Sequence, residues 1–448
     1  MQNTKTKDMT EGNPVTLILW FAIPLFIGNI FQQIYNVVDT AIAGHYLGDE
    51  AIAAIGATST VYSLIVALTM GSNSGFGIVV ARYFGAKDIE KLKESIGAML
   101  KLNLLISIIL TALSLLVIRP LMRILNTPDE IFEQAYCYIA IILAGMIMTS
   151  FYNMCSGMLR AVGNSKTPLY FLIISSALNI IMDIIFVVVF KLGMAGIAIA
   201  TVIAQTCSVI LCVVHIYRNY QDILPIKEKF KTSKEMTKEM FGMGFSMALM
   251  NSVFSIGSVI LQSAINNLGT TVITAHTAAR RILEMFMQPL STIGLANSTF
   301  VGQNWGAGKI ERIQSTIKKV FVMEFIWALI SFVIMYTFGT PIVKMLIGTV
   351  DEQVISYAVM NIRINFALLF PLGILFVIRT SMQSMGYKVM PVISSGIELA
   401  MKVFSAYFIV PAFGYLGASC TEPSTWVACA AFLGICYIVN RDKIYSVK

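Results

Sequence analysis

Six polar residues in the first apolar stretch of this chain, Asn29, Gln32, Gln33, Asn36, Asp39 and Thr40, fall within about 120° of arc when wound at 100° per residue. The opposite side of that helix is apolar. A second stripe, Ser175, Asn179 and Asp183, repeats at i, i+4 and i+8 inside the run SSALNIIMDIIFVVVF. Carboxylates in such surroundings are costly and mark ion pathways or paired charges. The chemistry on offer is reversible binding of a proton or a metal ion. If Asp39 and Asp183 approach each other, repulsion and desolvation ready one of them to take a proton near neutral pH. Two plainer readings stand beside this one: Asp39 as a solvated carboxylate at the outer end of its helix, and Asn179 with Asp183 as partners in interhelical hydrogen bonds.

The second half of the chain differs in kind. Its seventh apolar stretch carries Asn251, Ser255, Ser258, Gln262 and Asn266 on one face with no carboxylate, which suits a substrate-facing wall. In the eighth, Thr277, Arg281, Glu284 and Gln288 share a face, and the Arg281–Glu284 spacing permits an internal ion pair. Glu398 and Lys402 offer the same at i, i+4. Glu422, beside Pro423, suits either neutralisation or ligand binding.

These residues need helices in a bilayer to position them. Of the 448 residues, 57% are apolar and 12% charged, with a mean hydropathy of +0.77, the composition of an integral membrane protein. Apolar stretches near 15–43, 52–80, 97–118, 134–156, 168–190, 195–217, 241–266, 272–299, 317–338, 354–379, 390–411 and 418–438 each reach the roughly 20 residues that cross a membrane. The predicted fold is therefore an all-α integral membrane protein with twelve transmembrane helices.

The chain is also duplicated. Residues recur at an offset of 221, from Leu47–Gly48 against Leu268–Gly269, through Gly85–Ala86 against Gly306–Ala307, to Ile96 against Ile317. Gly163 and Pro168 pair with Gly386 and Pro391 at 223, and Gly193 and Gly196 with Gly414 and Gly417 at 221. Six crossings per half return the chain to the same face, so the expectation is two six-helix lobes related by a pseudo-twofold axis along the membrane normal. The expected division is an N-terminal lobe over 1–217, a polar linker over 218–240 and a C-terminal lobe with a short tail over 241–448.

With Met1 inside, the cytoplasmic segments hold 24 of the 32 Lys and Arg residues, and the outer loops hold four: Arg119, Arg123, Lys191 and Lys344. That bias places both termini in the cytoplasm and accounts for the net charge of +8 without a nucleic-acid partner. The apolar run from Val15 is long enough to serve as its own insertion signal rather than a cleaved one.

Several chemistries are disfavoured. The seven cysteines form no CxxC or metal spacing, and His45, His215 and His276 are far apart, so no zinc or iron site is expected. Gly71, Gly75 and Gly77 in GSNSGFG lack the Lys-Ser or Lys-Thr of a phosphate loop and suit close helix packing. No cofactor is expected, and pumping would draw on an ion gradient.

The segments IYNVVDTAIAGHYLG, ARYFGAKD, LRAVGNSKTP, ALNIIMDIIF and VGQNWGAGK resemble the multidrug and toxic compound extrusion (MATE) family over essentially the whole chain. The resemblance implies a monomeric secondary transporter of the bacterial cytoplasmic membrane, surrounded by lipid, exporting organic cations and other drug-like small molecules in exchange for H⁺ or Na⁺. By motif, Asp39 matches the family's first-helix acid, Asn179 and Asp183 its fifth-helix Asn-x-x-x-Asp, and Thr201 a sixth-helix polar residue. These resemble the cation site of DinF-like members, with Tyr138 supplying a fourth-helix hydroxyl and Asn153 a neighbour. NorM-like members use carboxylates in the seventh and tenth helices, and those stretches here have none. Gln33, Asn36, Asn153, Asn251, Gln262, Arg281 and Glu284 are the candidate substrate contacts. A lipid-linked oligosaccharide flippase of the same superfamily and a passive channel are the alternatives.

Overall fold

The computed structural model describes residues 7–125, 127–225, 232–348 and 351–445. It contains, in order, α1 (Pro14–Leu47), α2 (Asp49–Gly85), α3 (Ile89–Ile124), α4 (Asp129–Ala144), α5 (Met146–Ala161), α6 (Lys166–Ile184) and α7 (Gly193–Asn219). There follow α8 (Lys234–Asn266), α9 (Thr270–Gly306), α10 (Ile310–Ile347), α11 (Glu352–Ala367), α12 (Leu369–Ser384), α13 (Val389–Phe404), α14 (Val410–Val439) and α15 (Arg441–Tyr445). No strand occurs among the described residues.

These helices are built inside out relative to those of a protein in water. On α3 the buried positions include Asn103, Ser107, Thr111 and Ser114, while Leu104, Leu105, Ile108, Ile109, Leu116 and Val117 are exposed. Backbone groups are satisfied within each helix, and lipid solvates the apolar face, so the polar stripe turns to neighbouring helices. Eight helical stretches are long and apolar enough to span alone, and the bent pairs α4–α5 (43°) and α11–α12 (48°) bring the number to ten. One of the eight, Val389–Val439, breaks at Gly414 (φ 57°, ψ −138°) into two crossings. The twelfth is α9, whose buried face carries Asn297, Gln303 and Asn304. The protein is thus a multi-pass membrane protein of twelve transmembrane helices.

The duplication is written into the backbone. Gly48 (φ 89°) and Gly269 (φ 96°) initiate α2 and α9, Gly163 (88°) and Gly386 (96°) end α5 and α12, and Gly193 (58°) and Gly414 (57°) recur at the same offset. Each half also ends its polar helix in a π turn, Ile185–Val189 after α6 and Ser405–Ile409 after α13, a distortion enriched at functional sites.

The chain forms two compact units, one holding residues 23–248 with Lys7 and Asp8, the other holding 9–22 and 249–445. The first helix thus contributes to both. In the segment expected as a linker, α7 runs on to Asn219, a 3-10 turn covers Gln221–Ile223, and α8 starts already at Lys234; residues 226–231 lie outside the described residues. Within the first unit, α2 crosses the start of α8 at backbone contact. A Cβ on Gly71 would lie 2.6 Å from Ala248 Cα, and one on Gly75 2.6 Å from the Met243 carbonyl. Glycine is what permits that approach.

Candidate coupling site

The site is set by α6, an almost wholly apolar helix whose buried residues are Pro168, Ser175, Asn179 and Asp183. The i, i+4, i+8 stripe therefore faces inward as one line. Asn179 and Asp183 are fully buried, and Asp39 on α1 is 7% exposed. The two carboxyls lie close enough to interact electrostatically. Two ionised carboxylates so placed repel each other, and neither has a donor to offer the other. A shared proton, or a cation between them, is what makes the arrangement chemically complete.

Around the acids stand hydroxyls and an amide from five helices. Asn179 Nδ2 donates to Thr201 Oγ1 on α7 at 3.5 Å, and Tyr35 OH on α1 lies 3.4 Å from the same oxygen. Thr201 in turn donates to the Ile197 carbonyl at 3.1 Å, which leaves its oxygen facing the cluster as an acceptor. The phenols of Tyr35, Tyr62 and Tyr138 all lie in the electrostatic field of Asp39, and Tyr138 also feels Asp183. Asp39 Oδ1, Asn179 Oδ1 and both Asp183 oxygens are buried without a hydrogen-bond partner. That set of hard oxygen donors suits a proton or an alkali-type cation. No cluster of three His, Cys, Asp or Glu residues that could hold a metal occurs among the described residues.

Asp39, Asp183, Asn179, Thr201 and Tyr138 are thus gathered in one place within the first unit. Gln33 and Asn36 are exposed on α1, one to two turns before Asp39, and Asn153 is partly buried on α5. The remaining candidates belong to the second unit. Asn251 is exposed, with its carbonyl accepting from Ser255 Oγ at 3.0 Å. Gln262 donates to Asn266 Oδ1 at 2.9 Å. The expected Arg281–Glu284 pair does not form. Glu284 binds Arg280 at 2.8 Å, because i, i+4 lets the guanidinium Nε reach the carboxylate along the helix, and Arg281 turns outward.

Tyr35 and Tyr62 escaped the sequence reading. Tyr35 had a usable signal, one turn before Asp39. Tyr62 had none, since only the packing of α2 beside Tyr138 brings it in.

The second unit holds a different polar centre. Lys402, fully buried on α13, binds Glu398 at 3.2 Å and Glu422 on α14 at 3.1 Å. Its ammonium lies 4.3 Å from the Phe254 ring centre, and Arg379 reaches Glu398 at 3.6 Å. Two cations and two carboxylates neutralise one another.

Twelve transmembrane helices, several with inward polar stripes, duplicated in two units, define a membrane-transporter architecture. The MatE family model matches residues 24–185 and 246–408, and the chain belongs to that family. It is 23% identical to the multidrug export protein MepA of Staphylococcus aureus (strain N315) over 445 residues, covering 97% of this chain and 96% of the relative. It is 24% identical to the probable multidrug resistance protein YoeA of Bacillus subtilis (strain 168) over 382 residues, covering 84% and 82%. A crystal structure of MATE in the bent conformation superposes with a TM-score of 0.90 at 23% identity, over 97% of this chain and 96% of that one. An outward-facing multidrug resistance MATE family transporter gives 0.89 at 22% identity over the full length of both chains. At these identities the structural likeness is one of fold.

Proposed function

We propose that this protein is a secondary active multidrug efflux antiporter of the bacterial cytoplasmic membrane, with both termini cytoplasmic. It exports organic cations and other amphipathic compounds in exchange for H⁺ or Na⁺ by alternating access. The observation that carries the reading is the pair Asp39 and Asp183, buried with no cationic side chain against them among the described residues. Family membership and the names of MepA, a multidrug export protein, and YoeA, a probable multidrug resistance protein, support drug-like substrates.

In this mechanism Asp39 and Asp183 take up the coupling ion, while Asn179, Thr201 and Tyr138 supply neutral ligands and hold the acids apart. An ion or proton between the carboxylates removes their repulsion and lets α1 and α6 draw together. Loss of the ion restores it. A ligand shifts such an equilibrium only by its difference in affinity for the two states, and a close carboxylate pair gives that difference directly. The site is of the DinF-like kind, with coupling in the first unit. Gln33, Asn36, Asn153, Asn251, Gln262, Arg281 and Glu284 remain the candidate substrate contacts, and the transporter works as a monomer among lipids without a resident cofactor.

The test is ethidium efflux from drug-sensitive bacteria expressing wild type or Asp39→Asn at matched membrane levels, with Na⁺ and proton gradients collapsed separately. The expected result is efflux that fails when one gradient is removed and fails in the variant. Efflux that persists in Asp39→Asn with both gradients collapsed would refute antiport at this site.

A further inference from the structure

Glu324 lies at the middle of α10 on its buried stripe, between Val320, Ala328 and Ser331, and is fully buried. Both carboxyl oxygens lack a hydrogen-bond partner. The helices packed against α10 are α9, α11 and α12, and their charged groups are engaged elsewhere or turned away. Arg280 binds Glu284, Arg379 binds Glu398, Arg363 lies over Tyr336, and Arg281 is exposed. Glu352 opens α11 at its far end, and His276 on α9 packs edge-on against Tyr415.

The internal repeat shows what this position holds in the other half. At the offset of 221, Glu324 corresponds to Asn103 and Gly294 to Asn73, and at 223 Gly373 corresponds to Ser150. In the first unit these residues are joined by hydrogen bonds, although Asn103 Nδ2 and Asn73 Oδ1 find no partner. Ser150 Oγ donates to Asn103 Oδ1 at 2.7 Å, and Asn73 Nδ2 donates to the Thr69 carbonyl at 3.0 Å and the Ser150 carbonyl at 3.4 Å. In the second unit both polar partners are glycine, and the amide acceptor has become an acid. A Cβ on Gly373 would lie 2.9 Å from Glu324 Cβ and 3.2 Å from Oε2, so the glycine makes room for the carboxyl. A residue kept for a structural hydrogen bond would retain its donor. This one has lost the donor and gained an ionisable group, in a setting that offers an ionised carboxylate nothing.

We propose that Glu324 is a proton-binding carboxyl of the second unit, carrying its proton in the arrangement described and exchanging it when the neighbouring helices move. The α11–α12 bend of 48° falls at Leu368, about one turn before Gly373, so straightening or bending there changes what the carboxyl touches. The binding claim is independent of Asp39 and Asp183. Only its transport readout rests on the exporter reading.

The test uses the full chain in lipid nanodiscs. Infrared difference spectra on a pH step and on ethidium addition are recorded for wild type, Glu324→Gln and Asp39→Asn/Asp183→Asn. Expected is a carboxylic-acid carbonyl band that survives the double aspartate change, disappears in Glu324→Gln and shifts or loses intensity with ethidium. A band absent from the aspartate double variant, or a wild-type spectrum matched by Glu324→Gln, would overturn the proposal. Should Glu324→Gln fold poorly, Glu324→Asn with Gly373→Ser rebuilds the first unit's network in the second. That variant is expected to insert normally and to export ethidium with a flattened pH profile. Normal insertion with the wild-type profile would show Glu324 to be dispensable for proton handling and sink the idea.

Discussion

Helices α6 and α13 are the same element in the two halves, and they solve one problem in opposite ways. Both bury a thin polar stripe and give their apolar side to lipid: Ser175, Asn179 and Asp183 in the first, Ser394, Ser395, Glu398 and Lys402 in the second. Aligned on Pro168 and Pro391, Ser175 corresponds to Glu398 and Asn179 to Lys402, and Thr201 corresponds to Glu422 at the offset of 221. The first unit leaves its carboxyls without a cation. The second supplies its own, with the Lys402 ammonium held between Glu398 and Glu422. A tethered cation cannot be exchanged, so the second cluster is built as a lock, whereas the first is the one that, under the proposed antiport, a mobile cation completes.

The largest effect should come from removing the tethered cation. Lys402→Met leaves Glu422 without its cation and Glu398 with only the longer contact to Arg379, and breaking a buried pair in this way costs about 3–5 kcal/mol. The variant should lose much of its folded, detergent-extractable fraction and melt well below wild type. Unchanged melting would show that the cluster is not a structural lock.

The converse substitution sharpens the contrast. Asp183→Asn removes a carboxylate that no cation among the described residues compensates, so folding should be preserved or slightly improved while gradient-driven ethidium export falls to background. Thermal melting and efflux measured on the same preparation separate the two roles. A fall in both together would make Asp183 a structural residue like Lys402.

Packing gives an intermediate effect, outside both clusters. Gly75→Val places side-chain atoms on the Met243 carbonyl, already 2.6 Å from a bare Cβ position, and overpacking of this kind costs about 1–3 kcal/mol. Reduced melting with residual export is expected. Wild-type melting would mean that α2 and α8 part easily at this crossing.

Much of this was legible in the chain because the bilayer makes polarity informative. A carboxylate in an apolar helix has few reasons to exist, so Asp39, Asp183, Glu398 and Lys402 declared themselves by type and spacing. Glu324 did not, for its nearest polar companions on the buried stripe, Thr316 and Ser331, lie two turns away on either side and carry no charge, and only comparison with Asn103 and Ser150 gives it meaning. Tyr62 was hidden for another reason, since tyrosine is common at membrane depth and only packing tells a cluster member from a filler. The Arg280–Glu284 pair turned on whether i, i+3 or i, i+4 won, a difference of side-chain reach that spacing alone leaves open. The units defined by packing also share the first helix, and no change of composition near Ala22 and Ile23 marks that division.

The smallest effect tests whether the neutral groups around the acids are ligands or filler. Thr201 accepts from Asn179, lies beside Tyr35 and donates to its own helix. Thr201→Val keeps shape and removes the oxygen, which costs about 1 kcal/mol as a lost hydrogen bond. If that oxygen helps to hold the coupling ion, the ion concentration giving half-maximal efflux should rise roughly fivefold, with maximal efflux little changed. Should it merely orient Asn179, Thr201→Ser restores both quantities and Asn179→Ala does more harm than Thr201→Val. A second cluster that carries its own cation predicts no counterpart to this shift: Ser258→Ala, which removes a 3.5 Å contact to Lys402, should leave the ion dependence of efflux where it was.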